Sequence, residues 1–418
     1  MRFGINTLDD LAVQGKTVLC RVDINEPVDQ AGGTLKDTTR IEACTPTLKE
    51  LSEKGAKVVL LAHQGSDIEY QNFYTTAPHA QVLSGLLGKP VRFIDDVCGP
   101  AAREAIKALK PGELLLLDNV RFMAEEQTFF EMKLQLSHAA QAKTLLVQKL
   151  APLGDLYVCD AFAAAHRDQP SLCGFEQLLP SAMGRLFERE FCVISSLMEN
   201  PERPCVFVLG GAKINDAFLM MSTVLAGGIA DTVLTGGLVG EVLSWADGKD
   251  IGEGARKFIK QEGYELLVEA GKALLARYRD RIVMPGDFAG VREGKRLEYP
   301  LGSIPQDILV LDIGSKTAQA YQDRIKAAKT VFVNGPMGVF EEAATEKGTR
   351  MVWDALGETV GYTVVGGGDS ISATKKYGKT GLIKYICTGG GALIRFLTGE
   401  ELPVVKALRH GSQLTTKQ

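Results

Sequence analysis

Four apolar runs in the second half of the chain end in two or three glycines: VFVLGGAK at 206–213, VLTGGL at 233–238, VVGGGDS at 364–370 and YICTGGGA at 385–392. Bare main chain beyond a strand lets a phosphate come close, and a following helix adds free N–H groups and roughly half a positive charge. Lys213, Asn334 and Asp369 stand among these glycines; an aspartate beside phosphates is a hard oxygen donor suited to Mg²⁺. The first half ends its runs with charged and polar groups instead: Asp23 and Asn25, His63, Asn119 and Arg121, Asp160, then His166 and Arg167, with Arg40 opening a predicted helix. Arginines beside a carboxylate and an amide suit a small, highly charged anion, because each guanidinium offers a planar fork of donors. Plainer readings exist. A glycine pair serves turn chemistry, Asp369 serves as a helix N-cap, and a lone arginine such as Arg21 forms a surface ion pair. His79, His138 and His410 carry no motif and read as structural or solvated.

The elements that must position these residues alternate along the chain. Apolar runs (KTVLCRVDIN, AKVVLLAHQG, VRFIDD, ELLLLDNVRF and DLYVCDAF, then CVFVLGG, DTVLTGG, ILVLDIG, TVFVNGP, TVVGGGD and YICTGGG) are separated by stretches of helical period. VVLL and LLLL show no in–out alternation, which predicts strands buried on both faces of parallel sheets. RIEACTPTLKELSEKG and AAREAIKALKPG predict helices closed by glycine or proline. The βαβα pattern, repeated over 418 residues, predicts two doubly wound α/β lobes. SAMGRLFEREFCVISSL reads as one long helix, and MENPERP at 198–204 as the break after it.

Composition narrows the classes. A net charge of −4 gives no global attraction to nucleic acid. MRFGINTLDD lacks a signal-peptide profile and no apolar run approaches the ~20 residues of a membrane span. Eight scattered cysteines without a CxxC pair fit a reducing cytoplasm rather than a zinc site or disulfide framework. YGKT at 377–380 imitates a P-loop, but Ala373 stands where the upstream glycine is required. No GxGxxG follows a strand, and GxSxG and HExxH are absent.

RVDINEPV, HQGS, LLDNVRF, DAFAAAHR, LGGAK, LDIGSKT, VNGPMGVFE, GGGDS and TGGGA, in this order from about residue 16 to 397, resemble the phosphoglycerate kinase family in its archaeal form. The resemblance implies that family's fold, two Rossmann-like lobes joined by a hinge helix. It implies a triose-binding lobe at 1–185 joined by the tail 399–418, an interdomain helix and linker at 186–204, and a nucleotide-binding lobe at 205–398. Triose binding is implied for Asp23, Asn25, Arg40, His63, Arg121 and Arg167, with their motif neighbours Ile24, Gln64, Gly65, Ser66 and His166. Nucleotide binding is implied for Gly211, Lys213, Gly237, Asn334, Pro336, Glu341, Gly367, Gly368, Asp369 and Ser370, with Mg²⁺ at Asp369. Arg40, Lys213, Gly390 and Gly391 would stabilise the migrating phosphoryl group. The activity implied is reversible transfer of the acyl phosphate of 1,3-bisphosphoglycerate to Mg-ADP, direct and in line after hinge closure. Small-molecule substrates alone are expected as partners, with neither nucleic acid nor membrane, for a monomer or else a homodimer. Ser66 stands where the family usually has arginine, and Ala217 where many members have a second lysine. Another two-lobed nucleotide user, such as a glycosyltransferase or a nicotinamide-dependent dehydrogenase, and a hinged solute-binding protein are the rival readings.

Overall fold

The computed structural model describes residues 1–29, 33–65, 73–131 and 136–414. The chain divides into two compact units, Met1–Val193 with Glu401–Gln418, and Ile194–Glu400. The division falls inside the helix Arg185–Glu199.

In the first unit, β1 (Thr17–Arg21), β2 (Lys57–Leu61), β3 (Val91–Ile94), β4 (Leu114–Leu117), β5 (Leu156–Cys159) and β6 (Ser181–Met183) form a parallel sheet in the order β3-β4-β2-β1-β5-β6. Every residue of β1, β4 and β5 is buried, as the unbroken apolar runs require of a sheet covered on both faces. The helix Thr39–Glu53 turns Ile41, Cys44, Leu48 and Leu51 onto one side of it, at spacings of three and four. Chain order reverses between β1 and β5, so the loops after these strands flank a topological switch point, where open α/β sheets bind ligands.

SAM, read above as the start of a long helix, is the edge strand β6 instead. The helix begins only at Arg185, because Gly184 interrupts the run and Asp160 Oδ1 accepts from the N–H groups of Leu186 (2.9 Å) and Phe187 (3.2 Å). That cap comes from a different strand end, out of reach of any local pattern.

The second unit repeats the plan. β7 (Cys205–Leu209), β8 (Thr232–Thr235), β9 (Ile282–Val283), β13 (Thr330–Asn334), β14 (Tyr362–Gly366) and β15 (Tyr385–Cys387) lie parallel in the order β15-β14-β13-β7-β8-β9. Its switch point lies between β7 and β13. Between β9 and β13 the chain forms a small antiparallel sheet, in the order β11-β10-β12, from β10 (Asp287–Arg292), β11 (Lys295–Pro300) and β12 (Val310–Ile313). ILVLDIG therefore does not join the parallel sheet as its apolar run had implied. The hairpin ahead of it turns at Glu293 (φ 52°) and Gly294 (φ 73°), the left-handed pair of a type I′ turn, and returns β10 alongside β12. No helix among the described residues is long and apolar enough to cross a membrane.

Candidate functional site

At the carboxyl edge of the first sheet the polar loops tie to one another. Arg40 lies in the first turn of its helix, and its Nη1 donates to Asp23 Oδ2 at 2.6 Å. Glu26 Oε1 accepts from the main-chain N–H of Arg40 (2.6 Å) and of Ile41 (3.3 Å), so a remote carboxylate caps this helix. Asn25 Oδ1 accepts from Gly65 N at 2.8 Å. Gln64 donates to Glu26 O (2.8 Å) and its N–H donates to Asn119 Oδ1 (3.2 Å). Arg121 Nη1 donates to Gly65 O at 2.5 Å. Three loops thereby share one hydrogen-bonded floor.

His63 is 3% exposed in this floor. Burial first, and then the positive charges of Arg21, Arg121, Arg167 and Arg40, hold its imidazole well below the usual histidine range, so the ring is neutral. Four guanidiniums acting on one buried ring describe a strongly positive field, suited to an anion. Arg21 belongs to this cluster and not to the surface. It is fully buried, and its Nη2 lies 3.0 Å from His63 Nδ1. A guanidinium on a fully buried strand is hard to foresee, since strand propensity and burial both argue against arginine there.

Other residues singled out above serve the scaffold. Asp160 faces the helix beginning at Arg185, as its bonds to Leu186 and Phe187 demonstrate. Asn119 caps the short 3₁₀ turn Val120–Phe122 and donates to Gln64 O (2.7 Å) and Tyr74 O (3.0 Å). The side chain of Ile24 is wholly within the core. His79 is buried and bonds Gln64 Oε1 through Nε2 at 2.9 Å. His166 and Arg167 are not scaffold in this sense: Arg167 is one of the charges acting on His63, and both are half-buried, just beyond the 3₁₀ turn Phe162–Ala164. Ser66 lies outside the described residues.

In the second unit the ends of β7, β13, β14 and β15 surround a pocket of about 240 Å³. Of the residues expected at a nucleotide, Gly211, Lys213, Asn334, Gly367, Gly368, Asp369 and Ser370 line it, together with Gly390 and Gly391. Gly210, Ala212, Asp216, Gly335, Ile394 and Arg395 line it as well. Gly210 and Gly335 belong to motifs already quoted, and their neighbours gave the signal. Arg395 follows Gly391 by one helical turn on the helix Gly390–Leu397, a spacing that puts both on one face. Gly237, Pro336 and Glu341 are not among the lining residues. Gly237 N donates to Met337 O and Pro336 O accepts from Gly211 N, each at 2.8 Å. Glu341 O accepts from Lys376 Nζ at 3.0 Å.

The glycines answer to steric demands. A Cβ at Gly210 would lie 2.1 Å from Pro336 O, so the two loops at the switch point touch through bare main chain. Gly367, at φ 91°, is the N-cap of the helix Gly368–Lys376, and a Cβ there would meet Asn334 Nδ2 at 2.8 Å. Asp369 therefore does not cap this helix; it sits exposed in the first turn. Ser370 is buried and its Oγ accepts from Gly335 N at 2.7 Å, bracing the helix after β14 against the loop after β13. Ala217 is buried on the helix Ile214–Ala226, a packing position.

The family model described as phosphoglycerate kinase matches residues 8–400. The chain is 46% identical over 406 residues to the phosphoglycerate kinase of Methanothermobacter thermautotrophicus, spanning 97% of each. It is 43% identical over 406 residues to that of Thermococcus kodakarensis, spanning 96% of each. The crystal structure of phosphoglycerate kinase from Pyrococcus horikoshii OT3 is similar with a TM-score of 0.85 at 40% identity, over 98% of this chain and 100% of that one. The phosphoglycerate kinase structure from Coxiella burnetii gives a TM-score of 0.83 at 28% identity, over 97% and 98%.

Proposed function

The chain belongs to the phosphoglycerate kinase family, and from that premise we propose that it transfers the acyl phosphate of 1,3-bisphosphoglycerate to ADP, reversibly, giving 3-phosphoglycerate and ATP. It is an enzyme, a nucleotide-dependent phosphotransferase with a carboxyl group as acceptor in the reverse direction. The observation that carries the site assignment is the unequal chemistry of the two strand-end edges. One gathers four arginines around a neutral buried imidazole; the other is walled by glycine main chain at a switch point. The arginine edge suits the three-carbon acid and its phosphate. The glycine edge suits the nucleotide phosphates.

The reaction asks little covalent work of the protein. A terminal oxygen of ADP attacks the acyl phosphorus, the P–O bond to the carboxyl oxygen breaks, and 3-phosphoglycerate leaves as a carboxylate. The nucleophile is already ionised, so no general base is required, and rate depends on alignment and charge compensation. Lys213 and the first N–H groups of the helix at Gly390 and Gly391 would compensate charge on the nucleotide side, and Arg40 on the triose side. A unit cation and anion about 4 Å apart attract by roughly 4 kcal/mol at an effective dielectric of ~20. Direct transfer requires the two ligands to meet during turnover. Asp369, an exposed carboxylate on the pocket wall, fits a hard cation and would hold Mg²⁺, which when bound offsets phosphate charge. The eight free cysteines agree with a reducing, cytoplasmic setting, and a monomer is the simplest assembly.

A coupled assay of ATP formation from 1,3-bisphosphoglycerate and ADP tests the reading directly. Lys213→Ala should lower turnover by about 100-fold or more with triose affinity nearly unchanged. Absence of ATP formation by the wild type would refute the function, and near-normal turnover of the variant would remove Lys213 from the mechanism.

A further inference from the structure

We propose that Arg21 is a positioning residue, aimed by Ser171 and Glu126, that presents His63 to the triose anion as a neutral imidazole with its proton on Nε2. The inference rests on the assignment of the triose to this edge, and it adds which atom of His63 does the binding and what fixes it there.

A guanidinium carries donors and no acceptor. The 3.0 Å contact between Arg21 Nη2 and His63 Nδ1 is therefore a hydrogen bond only if Nδ1 presents its lone pair. A neutral imidazole keeps one N–H, so the proton sits on Nε2, and the ring meets an anion as a donor. The opposite tautomer would set an N–H against a guanidinium N–H in a buried place, which is repulsive and leaves donors unsatisfied.

With Glu126 ionised, above the value of about 7 to which burial raises its carboxyl, Arg21 is held in turn by a chain whose direction is fixed at each link. Its Nε donates to Ser171 Oγ at 3.1 Å. That hydroxyl donates to Glu126 Oε2 at 2.9 Å, and Ser171 N donates to Glu126 Oε1 at 2.6 Å. Nη1 of Arg21 donates to Val22 O at 2.5 Å. All three side chains, Arg21, Ser171 and Glu126, are completely buried, and they come from a strand and two different helices. Such an array has one arrangement available to it, which is what a fixed tautomer requires. Register brings the partners together: Arg21 pairs with Leu61 across the parallel strands, two residues before His63.

The tautomer is measurable without substrate, so the inference and the functional reading fail separately. Long-range ¹⁵N–¹H spectra of the labelled full chain report the protonation of each ring nitrogen, and His63→Gln assigns the signals among the five histidines. The wild type is expected to show Nδ1 bare and Nε2 protonated from pH 5.5 to 8, in the field of Arg21, Arg40, Arg121 and Arg167 with Asp23 paired to Arg40, because Arg21 donates to Nδ1 whether or not Glu126, which titrates at about 7, is ionised. Arg21→Met should release the ring to a tautomer mixture and raise the KM for 3-phosphoglycerate about tenfold or more, with the KM for the nucleotide unchanged. Arg21→Lys, which retains a donor, should recover part of both. Ser171→Ala, a milder change, should shift the tautomer ratio in the same direction and leave folding intact. A wild-type ring protonated on Nδ1, or titrating near 6.5, overturns the inference even in an active enzyme. So does a tautomer unmoved in Arg21→Met or Ser171→Ala. The expected tautomer in a protein that forms no ATP would instead refute the functional reading and, with it, the use proposed for His63.

Discussion

Glu241 illustrates how far a single side chain departs from the behaviour its type suggests. It lies on the helix Gly237–Ala246 at 4% exposure, and its Oε2 has no hydrogen-bond partner among the described residues. Burial alone pushes its carboxyl from 4.5 up to about 8. The folded protein thus binds a proton there that the unfolded chain releases between those two pH values. Its stabilising contribution is complete below about pH 4.5, declines as pH rises towards 8, and is flat above. Glu241→Gln keeps the shape and removes the titration. The stability difference between variant and wild type, from urea unfolding, should therefore grow in the variant's favour by up to a few kcal/mol from pH 5.5 to 8.5, at roughly 1.4 kcal/mol per pH unit. A difference constant with pH would mean that Glu241 is ionised in the folded state. Other buried acids shift alongside it, Glu126 to about 7 and Asp312 to about 6, but they are common to both proteins and cancel. Residue type and spacing made the glycine pocket and most of the arginine edge legible. Arg21 escaped because its role depends on a neighbouring strand, and Asp160 misled because a carboxylate at a strand end serves a helix cap as readily as a ligand.

Packing of whole elements decides the effect of two glycine-to-alanine changes in opposite directions. Gly411 is on the helix Pro403–Leu414, which buries Val404, Val405 and Leu408 against the first unit. A Cβ there would lie 2.4 Å from Ser181 Oγ and 3.1 Å from Glu176 Cβ. The next residue, Ser412, accepts from Asn6 N at 2.8 Å through its hydroxyl, so chain start, edge strand β6 and chain end meet in one small space. Gly85, on the helix Ala77–Leu87, has nothing within 4 Å of its own would-be Cβ. Gly85→Ala should stabilise by about 0.5–1 kcal/mol, the helical preference of alanine over glycine. Gly411→Ala should destabilise by about 1–2 kcal/mol, overpacking outweighing the same preference. Thermal unfolding of the two variants checks this, and a stabilised Gly411→Ala would mean that this helix end is looser than described. The resemblance already joined the tail 399–418 to the first lobe, but the partner strand β6 could not be read. A run of only three residues, Ser181 to Met183, carries no strand pattern, and what makes it a strand is pairing with β5. The hairpin of β10 and β11 was missed for a related reason: KRLEYP is largely exposed, so no apolar run announces it, and ILVLDIG was placed in the wrong sheet as a result.

At the scale of the whole molecule, length and the doubled βαβα pattern sufficed to indicate two units. The position of the break was less legible, because one amphipathic helix, Arg185–Glu199, belongs to both. Each unit has its own core, Ile41, Leu48 and Val58 in the first and Val331, Val352 and Trp353 in the second, and each organises its own strand-end edge. If the two edges bind their ligands independently, as sites without shared partners do, each ligand's affinity should respond to its own edge alone. Arg121→Ala, which removes a guanidinium held against Gly65 O, should weaken 3-phosphoglycerate binding by about 10- to 100-fold, the range of a charge-assisted contact. ADP affinity should stay within about twofold. Asp369→Asn should do the converse: Mg-ADP weakens and the concentration of Mg²⁺ needed for half-maximal rate rises, while triose affinity holds. Turnover should fall in both, because transfer needs both ligands aligned. Sulfate, a dianion shaped like a phosphate, should compete with the triose in the wild type, and its binding should weaken in Arg121→Ala while persisting in Asp369→Asn. Calorimetric titration of each ligand into each variant separates these outcomes. If Arg121→Ala weakened ADP as much as the triose, the arginine edge and the glycine pocket would not be separate binding surfaces, and the assignment of one ligand to each unit would fall.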